Sequence, residues 1–456
     1  MHRILSLATA ALFLLAAGAI PPTWAQPFPG GLRVPDGPPA SAEAPGLDGD
    51  AAPREELLYV VCTDGQGDNP DFLAVIGADP SKPGLYGRIL NRVDMPHADD
   101  ELHHFGYSLD QERLIVPGLF SNRIHVFDVE KNPRRPRLVA SNDIDVESGY
   151  IVPHTVIGLP DHKALVTMIG AASETTGPGG VVLIDDRTGE FIDYFGPGPD
   201  RDPEAIPPKY MYDFGFNLEL NRAISTTFGW PAGVGGGINP AGLGDEIAVW
   251  DFEAQEVLQR VDLGANSGAL EVRWIDEPGS TLGVTNAPGT NSLWLWEDED
   301  GDGLFTFHQV LSAEDGLAGP MDIVLTEDHG FLYVGNWLGD TVQKFDISDP
   351  FDPVLVDEVT LPHPNMLRLS PDGERLYVTN QLVTPWDNDP ALGGPRNDHY
   401  GIWLFQVQDD ESLESVTEDG SAWVDMTDVK MRFSRGPAGP HQIFFGPEVP
   451  IELGHH

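Results

Sequence analysis

The sequence is poor in cysteine, in basic residues and in long apolar stretches. Cys62 is the only cysteine among 456 residues, so the chain forms no internal disulfide, and a lone strand cysteine of this kind is expected to be inert. Lys and Arg number 26 against 72 Asp and Glu, a formal net charge of −46. This acidity disfavours nucleic acid and anionic membranes as partners. Its simplest interpretation is a solvated acidic surface.

Common catalytic motifs and helix signals are also scarce. The chain contains no phosphate-binding loop, no nucleophile elbow and no Cys-x-x-Cys pair. From residue 55 onward, short β-branched and aromatic runs alternate with Gly, Pro, Asn and Asp, which is typical of all-β proteins. Hydrophobic residues still make up 41% of the chain, with 10 Trp and 21 Phe, so the composition indicates a folded protein.

The single apolar run lies at the N-terminus. Arg3 precedes the run Leu5–Ile20, and Thr23-Trp-Ala25 follows it. The run is too short and one-sided for a confident membrane span, so residues 1–25 are predicted to be a signal peptide cleaved near Ala25. The mature protein is therefore expected to be periplasmic or secreted, without membrane attachment. Residues 26–54 are rich in Pro, Gly and Ala and are predicted to be a linker.

A two-strand pattern recurs seven times after this linker. The second strand of each unit is Leu57–Val61, Arg113–Val116, Ala164–Thr167, Ala223–Thr226, Thr281–Val284, Phe331–Val334 or Arg375–Val378. Third strands often end in an aromatic–acid pair, namely Phe127-Asp128, Trp250-Asp251, Trp296-Glu297 and Phe345-Asp346. Four strands in each unit of roughly 50 residues predict a seven-bladed β-propeller over residues 55–447, followed by a tail at 448–456.

The two ends of this region complement each other. The first unit, which starts at Leu57, lacks a leading strand, whereas His441–Phe445 is a leading strand with no unit after it. Pairing them is predicted to complete the N-terminal blade and to remove two exposed sheet edges. Three long loops are candidates for a lid over the ring: Ala171–Gly180, Gly229–Asp245 and Thr384–Tyr400.

One position of the repeat carries most of the candidate chemistry. It is the first residue of each leading strand, occupied by His104, His154, Asp213, Glu271, Asp322, Met366 and His441. The innermost strands of a propeller line its central channel, so these residues are expected to ring one mouth of it. With His103, four imidazoles are available, a donor set that suits Cu(II), Zn or Ni. The alternative is a polar mouth that only binds ordered water. His363 is a weaker candidate ligand or proton carrier.

Three carboxylates share this position with the histidines. Asp213, Glu271 and Asp322 are predicted either to fix the imidazole tautomers from behind the ligands or to act as catalytic proton acceptors. A channel histidine acting as a base without a metal is a further option. The clustering of four imidazoles favours a metal.

A separate acidic loop matches the start of a calcium-binding loop. Asp298, Asp300 and Asp302 occupy its positions 1, 3 and 5, and Gly303 occupies position 6. Position 12 is Gln309 in place of the usual Glu, and strands are expected on both sides. Calcium is therefore one prediction for this loop, and an ordinary acidic hairpin is the alternative.

The chain resembles the selenium-binding protein / methanethiol oxidase family between about Glu55 and Phe445. The resemblance is carried by Met95-Pro, Asp100-Glu-Leu-His-His-Phe-Gly106, Tyr212-Asp-Phe214, Leu270-Glu-Val-Arg273, Asn336-Trp-Leu338, Phe345-Asp-Ile-Ser-Asp-Pro350, Arg375-Leu-Tyr-Val-Thr-Asn380 and Gly439-Pro-His-Gln442. It implies a seven-bladed propeller, copper held by histidines, and oxidation of methanethiol by O2 to formaldehyde, hydrogen sulfide and hydrogen peroxide. Gly87 stands where animal members carry a selenium-linked cysteine, which puts selenium binding in doubt.

Two functional hypotheses follow. The first is a copper-dependent periplasmic thiol oxidase that uses a small thiol and O2, with Asp322 or Glu271 accepting the substrate proton. The second is a non-catalytic propeller that carries a metal or binds a protein through the same channel, because this fold serves many functions. An open coordination position on the metal would favour the oxidase.

Overall fold

The structure is a computed structural model that describes residues 55–447, except for 66, 68, 99, 172–177, 197, 200–209, 230–241, 276–279, 393, 395–398 and 409. The predicted signal peptide (1–25), linker (26–54) and C-terminal tail (448–456) lie outside the described residues. Within the described part of the chain, no helix is long and apolar enough to cross a membrane.

Seven antiparallel sheets form a seven-bladed β-propeller, as predicted. Blade 1 contains β1 (Leu57–Asp64), β2 (Phe72–Gly77) and β3 (Ile89–Asp94). Blade 2 contains β4 (Gly106–Tyr107), β5 (Arg113–Gly118), β6 (Arg123–Asp128) and β7 (Arg137–Asp143). Blade 3 contains β8 (Tyr150–Leu159), β9 (Lys163–Ala171), β10 (Gly180–Asp185) and β11 (Phe191–Phe195).

The next three blades repeat the order of four sequential strands. Blade 4 contains β12 (Met211–Asn217), β13 (Arg222–Thr227), β14 (Glu246–Asp251) and β15 (Glu256–Asp262). Blade 5 contains β16 (Val272–Trp274), β17 (Gly283–Ala287), β18 (Ser292–Glu297) and β19 (Thr306–Leu311). Blade 6 contains β20 (Pro320–Leu325), β21 (Phe331–Asn336), β22 (Thr341–Asp346) and β23 (Val354–Thr360).

Blade 7 and the C-terminal segments complete the ring. Blade 7 contains β24 (Leu367–Leu369), β25 (Arg375–Thr379), β26 (Gly401–Val407) and β27 (Leu413–Ser415), and β28 (Val424–Asp425) also pairs with β26. A small hairpin and the last strand follow as β29 (Val429–Lys430), β30 (Arg435–Gly436) and β31 (Ala438–Phe445). The short helices are α1 (Asp145–Ser148) and α2 (Thr384–Asp387), and the 3₁₀ turns are Pro288–Thr290, Ala313–Asp315 and Pro390–Leu392.

The burial of each strand follows its place in the blade. Every residue of β1 and β2 is buried, because these strands have a neighbouring blade on each face. The outer strand β15 alternates between exposed and half-buried residues, as expected for a strand with one face in solvent. Aromatic residues fill the space between blades. One such cluster joins Tyr59, Phe105, Phe127 and Phe444 between blades 1 and 2.

The ring closes through the C-terminal strand. In blade 1 the order is β3-β2-β1-β31, so the last strand of the chain is the innermost strand of the first blade. The two strands run antiparallel, with Tyr59 opposite Phe444 and Val60 opposite Ile443. Pairing of the two ends is thus confirmed, and it brings His441 to the channel. The candidate lid loops lie partly outside the described residues, at 172–177, 230–241, 393 and 395–398.

Candidate metal centre

Four histidines from three blades meet in the central channel. His103 and His104 precede β4, His154 lies in β8, and His441 lies in β31. The rings of His103 and His441 stack at 3.7 Å between centroids, and those of His104 and His154 are 4.0 Å apart. Donor nitrogens of His103, His104 and His154 all lie within 4.8 Å of one another. All four side chains are buried.

Local irregularities of the inner strands position these side chains. The register of β8 against β9 shifts between Pro153 and Val156, which is where His154 lies. A similar shift falls beside His441 in the pairing of β31 with β1. A β-bulge turns a side chain away from its regular direction, and bulges are common beside functional sites. The inner strands of blades 4 and 6 shift at the same level, before Phe214 and Asp322.

The hydrogen bond of His441 fixes its tautomer. Its Nδ1 lies 2.7 Å from the carbonyl oxygen of Gln381, which also accepts a hydrogen bond from the side-chain amide of Asn365. A carbonyl oxygen only accepts, so Nδ1 of His441 carries the proton and donates it. In the neutral ring the lone pair then belongs to Nε2, the atom available for a metal.

His154 is oriented in the same way through a hydroxyl group. Its Nδ1 lies 3.2 Å from Oγ1 of Thr155, and that hydroxyl donates to Oδ1 of Asp213 at 2.9 Å. The hydroxyl has one proton, which goes to the carboxylate, so its lone pair accepts from Nδ1–H of His154. Asp213 therefore fixes the ring of His154 through Thr155. The tautomer-fixing role of the other two carboxylates stays a prediction.

Burial keeps the imidazoles in their neutral form. The pKa of His103 is held well below its usual value by burial, and further by His441 and His154. Burial lowers the pKa of His441 to about 3, although its hydrogen bond to Gln381 opposes the shift. Only the neutral imidazole offers a lone pair to a metal, so both rings are in their ligand form at neutral pH.

These residues fit a bound metal ion. Nδ1 of His103 and Nε2 of His441 are buried and have no hydrogen-bond partner among the residues that the structure describes. Leaving a buried polar atom unpaired costs about 1–3 kcal/mol, and coordination of a metal removes that cost. An all-imidazole donor set without a thiolate suits Cu(II), Zn or Ni.

An apolar pocket lies directly against the histidines. It is a cavity of about 20 Å³, and its lining residues come from blades 2 to 7 and from the segment just before β4. These residues are His103, Leu119, His154, Ile169, Tyr212, Phe228, Leu270, Met321, Leu382, Val383 and Trp386. A cavity of this size holds one very small molecule unless the lining side chains move. The centre is therefore shielded from bulk water and faces a small apolar space.

The three ring carboxylates surround the guanidinium of Arg273, whose side chain is 14% exposed. Nη2 of Arg273 lies 3.0 Å from Oε2 of Glu271 and 3.2 Å from Oδ1 of Asp322, and Nη1 lies 3.6 Å from Oδ2 of Asp213. Asp213 and Asp322 also accept the backbone N–H groups of Val272 and Leu367 in the following blades. Burial raises the pKa of Glu271 well above its usual value and raises that of Asp322. Proton acceptance by these carboxylates stays a prediction.

The remaining candidates are His363 and the acidic loop, and each has hydrogen-bond partners of its own. Nδ1 of His363 is 3.0 Å from the carbonyl oxygen of Trp337 and 3.0 Å from Oδ1 of Asp340, and its described ring contact is with Trp337. In the acidic loop, Asp298 accepts the backbone N–H groups of Gly301 and Gly303. The carboxylates of Asp298, Asp300 and Asp302 still lie within 4.8 Å of one another. Calcium binding there stays a prediction.

The position that the family resemblance links to selenium is adapted to glycine. Gly87 has φ +69°, and a Cβ atom there would lie 3.0 Å from Nε1 of Trp423. A cysteine would be strained in this left-handed conformation and would press on the indole. Burial raises the pKa of the only thiol, Cys62, well above its usual value, which disfavours its reactive thiolate form.

Sequence reasoning missed the residues that orient the ligands and shape the pocket. Thr155 and Asn365 each stand one or two positions from a singled-out histidine, and that proximity is the only signal they carry. Gln381 acts through its backbone carbonyl, which leaves no trace in its residue type. Trp386 belongs to a predicted lid loop, so its loop was identified but its role was not.

The fold and the site together define a β-propeller protein with a candidate four-histidine metal centre. The chain belongs to the 56 kDa selenium binding protein (SBP56) family, whose profile matches residues 37–447. It is 32% identical to a methanethiol oxidase of Danio rerio over 75% of this chain and 83% of the relative. It is 29% identical to selenium-binding protein 2 of Mus musculus, over 75% and 84% of the two chains.

A solved structure supports the same assignment. The hypothetical selenium-binding protein of Sulfolobus tokodaii is 27% identical, with a TM-score of 0.73 over 89% of this chain and 96% of that one. Family and fold are thus shown by both sequence and structure.

Proposed function

We propose that this protein is a copper-dependent thiol oxidase that acts in the periplasm. The reaction is methanethiol with O2 and water giving formaldehyde, hydrogen sulfide and hydrogen peroxide, which balances in C, H, S and O. The observation that carries the proposal is the group of four buried histidines facing a small apolar pocket. Relatives named methanethiol oxidase from Danio rerio and Rattus norvegicus support it.

The pocket suits a small uncharged substrate. Leu119, Ile169 and Leu270 offer only apolar surface, and the ring of Tyr212 packs at a tilt against His154 with 3.7 Å between centroids. A methyl group gains from leaving water for such a surface, by about 0.8 kcal/mol for one carbon. A charged or bulky thiol would lose hydration in a cavity of this size without gaining new partners. The pocket therefore favours methanethiol over larger biological thiols.

In this proposal the four histidines bind the metal, and Gln381 and Thr155 orient two of these histidines. Copper, when bound, supplies a Lewis acid that lowers the pKa of a thiol and a redox couple that passes electrons to O2. Gln381 and Thr155 accept hydrogen bonds from Nδ1 of His441 and His154, so the lone pair of each ring lies on Nε2. The ligand geometry thus exists before substrate arrives.

The proposal assigns uptake of the substrate proton to the ring carboxylates Glu271 and Asp322. Glu271 and Asp322 directly follow Leu270 and Met321, which line the pocket. Burial raises the pKa of both carboxyl groups, so each accepts a proton more readily than an exposed carboxylate does. Arg273 contacts both and stabilises whichever of them stays ionised.

Export is the part of the proposal that rests on sequence alone. Residues 1–25 carry a basic start, a short apolar run and a small residue before the expected cleavage point. A periplasmic fraction that contains the mature chain, beginning near residue 26, is the expected result of fractionation. Recovery of the uncleaved chain from the cytoplasm alone would contradict export.

His154→Ala tests the oxidase. It removes one nitrogen from the buried centre, so copper content, O2 uptake and peroxide release with methanethiol should fall together. His97→Ala, at an exposed position outside the channel, is the matched control and should keep wild-type values. A His154→Ala variant that lost copper yet oxidised methanethiol at the wild-type rate would show that the metal is structural. Copper-loaded wild-type protein without O2 uptake with any small thiol would favour a metal carrier or scaffold.

A further inference from the structure

Glu101 is a buried carboxylate in the segment between blades 1 and 2. It lies two residues before His103, in the segment that carries both neighbouring histidines, and its side chain is 7% exposed. Its φ angle is +51°, in the left-handed region that a residue with a side chain seldom adopts. A strained backbone of this kind costs about 1 kcal/mol or more and persists where the surroundings hold it.

The side chain of Glu101 connects its own segment to residues 381–384, which lead into α2. Oε1 accepts a hydrogen bond from Nε2 of Gln381 at 3.0 Å and another from the backbone N–H of Thr384 at 2.7 Å. Both bonds go to the same carboxylate oxygen. The backbone carbonyl of Glu101 accepts from the N–H of Leu119 at 3.0 Å. Glu101 thus contacts two separate segments, residues 381–384 and Leu119 directly after β5.

Each of these segments contributes to the metal centre or its pocket. Gln381 supplies the carbonyl oxygen that fixes the tautomer of His441. Val383 and Trp386, on either side of Thr384, line the pocket, and Leu119 lines it from blade 2. Glu101 therefore fixes the distance between the segment of His103 and His104 and the segment that orients His441.

We propose that Glu101 is a positioning residue of the histidine centre. It holds the Gln381 carbonyl and the α2 wall of the pocket in place relative to His103 and His104. The inference rests on the proposed metal site, but it does not depend on thiol oxidation. It assigns to Glu101 an effect on metal binding that acts through Gln381 and His441, without contact between Glu101 and the metal.

Three variants of Glu101 distinguish its hydrogen bonds from its charge. Glu101→Gln keeps an oxygen acceptor at the Oε1 position, so both bonds can form without the charge. Glu101→Asp keeps the charge but is one methylene shorter and falls short of Gln381 and Thr384. Glu101→Ala removes the acceptor altogether. Positioning predicts that Gln preserves the site and that Asp and Ala disturb it, whereas a purely electrostatic role predicts the reverse order for Gln and Asp.

Cu(II) affinity, measured by competition with a chelator, and the electron paramagnetic resonance spectrum of bound Cu(II) are the readouts. Loss of a group that orients a ligand typically costs about 10–100-fold in metal affinity, and we expect that loss for Glu101→Ala and Glu101→Asp. Their spectra should change as well, because the His441 ring is free to turn. Glu101→Gln should keep nearly the wild-type affinity and spectrum.

Glu55→Ala is the matched control. Glu55 is another buried glutamate that joins the start of the propeller to blade 7, where it accepts hydrogen bonds from Arg375 at 2.6 Å and Tyr377 at 2.6 Å. Its loss should lower the thermal transition and leave the copper spectrum unchanged. Folded Glu101→Ala or Glu101→Asp protein with wild-type affinity and spectrum would overturn the inference. Failure of the oxidase proposal can be told apart from failure of this inference. The oxidase proposal fails if copper-loaded wild-type protein takes up no O2 with small thiols. The Cu(II) affinities of the Glu101 variants test the positioning role in either case.

Discussion

Arg273 of blade 5 bridges to Asp322 of blade 6, with 3.2 Å between Nη2 and Oδ1. The same guanidinium contacts Glu271 of its own blade and Asp213 of blade 4. The guanidinium of Arg273 is therefore shared by three buried carboxylates from three blades, and Arg368 is a second cation that interacts with Asp322. The channel needs this positive charge, because three carboxylates in so small a space would repel one another and could not all ionise.

Replacing Arg273 by Met should strongly destabilise the propeller. The change removes the charge while keeping much of the side-chain length, and breaking a buried ion pair from one side costs about 3–5 kcal/mol. Chemical denaturation of the metal-free protein measures the loss. Arg187→Met is the control, because Arg187 forms an exposed pair with Asp185 and such pairs contribute about 0–1 kcal/mol. Equal stability of the two variants would show that the carboxylates do not depend on Arg273.

Strand repetition made the architecture and the convergence of the histidines predictable. Each repeat shows its own apolar strands and turns, and one shared position collects His104, His154 and His441 in three blades. Arg273 carries no sequence signal beyond its place in the Leu270-Glu-Val-Arg273 motif, because it stands two residues beyond that position and nothing in its neighbourhood marks it as a partner of Asp322. Contacts between blades depend on side-chain reach, which strand periodicity does not encode.

The orienting groups escaped prediction for a different reason. Gln381 acts through its carbonyl oxygen, a group that every residue has, and its position is set by close packing against β31. A Cβ atom at Gly439 would collide with the side chain of Gln381, so the glycine permits this approach. The bulges beside His154 and His441 are likewise register shifts between two strands, and one strand's sequence does not specify its partner's register.

Thr155→Val should weaken metal binding with little effect on folding. Valine matches the shape of threonine but breaks the path from Asp213 to Nδ1 of His154, so the ring loses its fixed orientation. We expect about a 10–100-fold loss of Cu(II) affinity by chelator competition. Thr155→Ser keeps the hydroxyl and should restore most of the affinity. Equal affinity of the Val and Ser variants would show that the hydroxyl does not orient His154.

We expect Asp186 to make part of the free energy of unfolding depend on pH. Burial raises the pKa of this carboxyl group from 3.8 to about 6, assisted by Asp110 and Asp185 and opposed by His162 and Arg187. The folded state then holds this proton more tightly than the unfolded state. Its contribution to stability is complete below about pH 4 and is lost as pH rises through about 6.

Asp186→Asn should remove that component. Relative to wild type, the variant's free energy of unfolding should rise by about 1 kcal/mol between pH 4 and pH 7, a figure reduced for solvent screening beside exposed His162. Urea denaturation at both pH values gives the double difference, in which the titration of groups that do not interact with Asp186 cancels. A double difference of zero would place the pKa of Asp186 near its usual value in the folded protein.

Removing the last strand tests how the ring is held. Deletion of residues 441–456 takes away the innermost strand of blade 1 from His441 onward, and with it the partners of Leu58, Tyr59 and Val60. The exposed edge of β1 would be free to pair with other chains, so we expect aggregation and loss of a cooperative unfolding transition. Deletion of residues 448–456 is the control, because it leaves β31 whole and should yield soluble protein with a wild-type transition. Soluble, cooperatively folded protein after the longer deletion would mean that six complete blades and a three-stranded sheet hold the ring without β31, and that His441 is needed only at the metal centre.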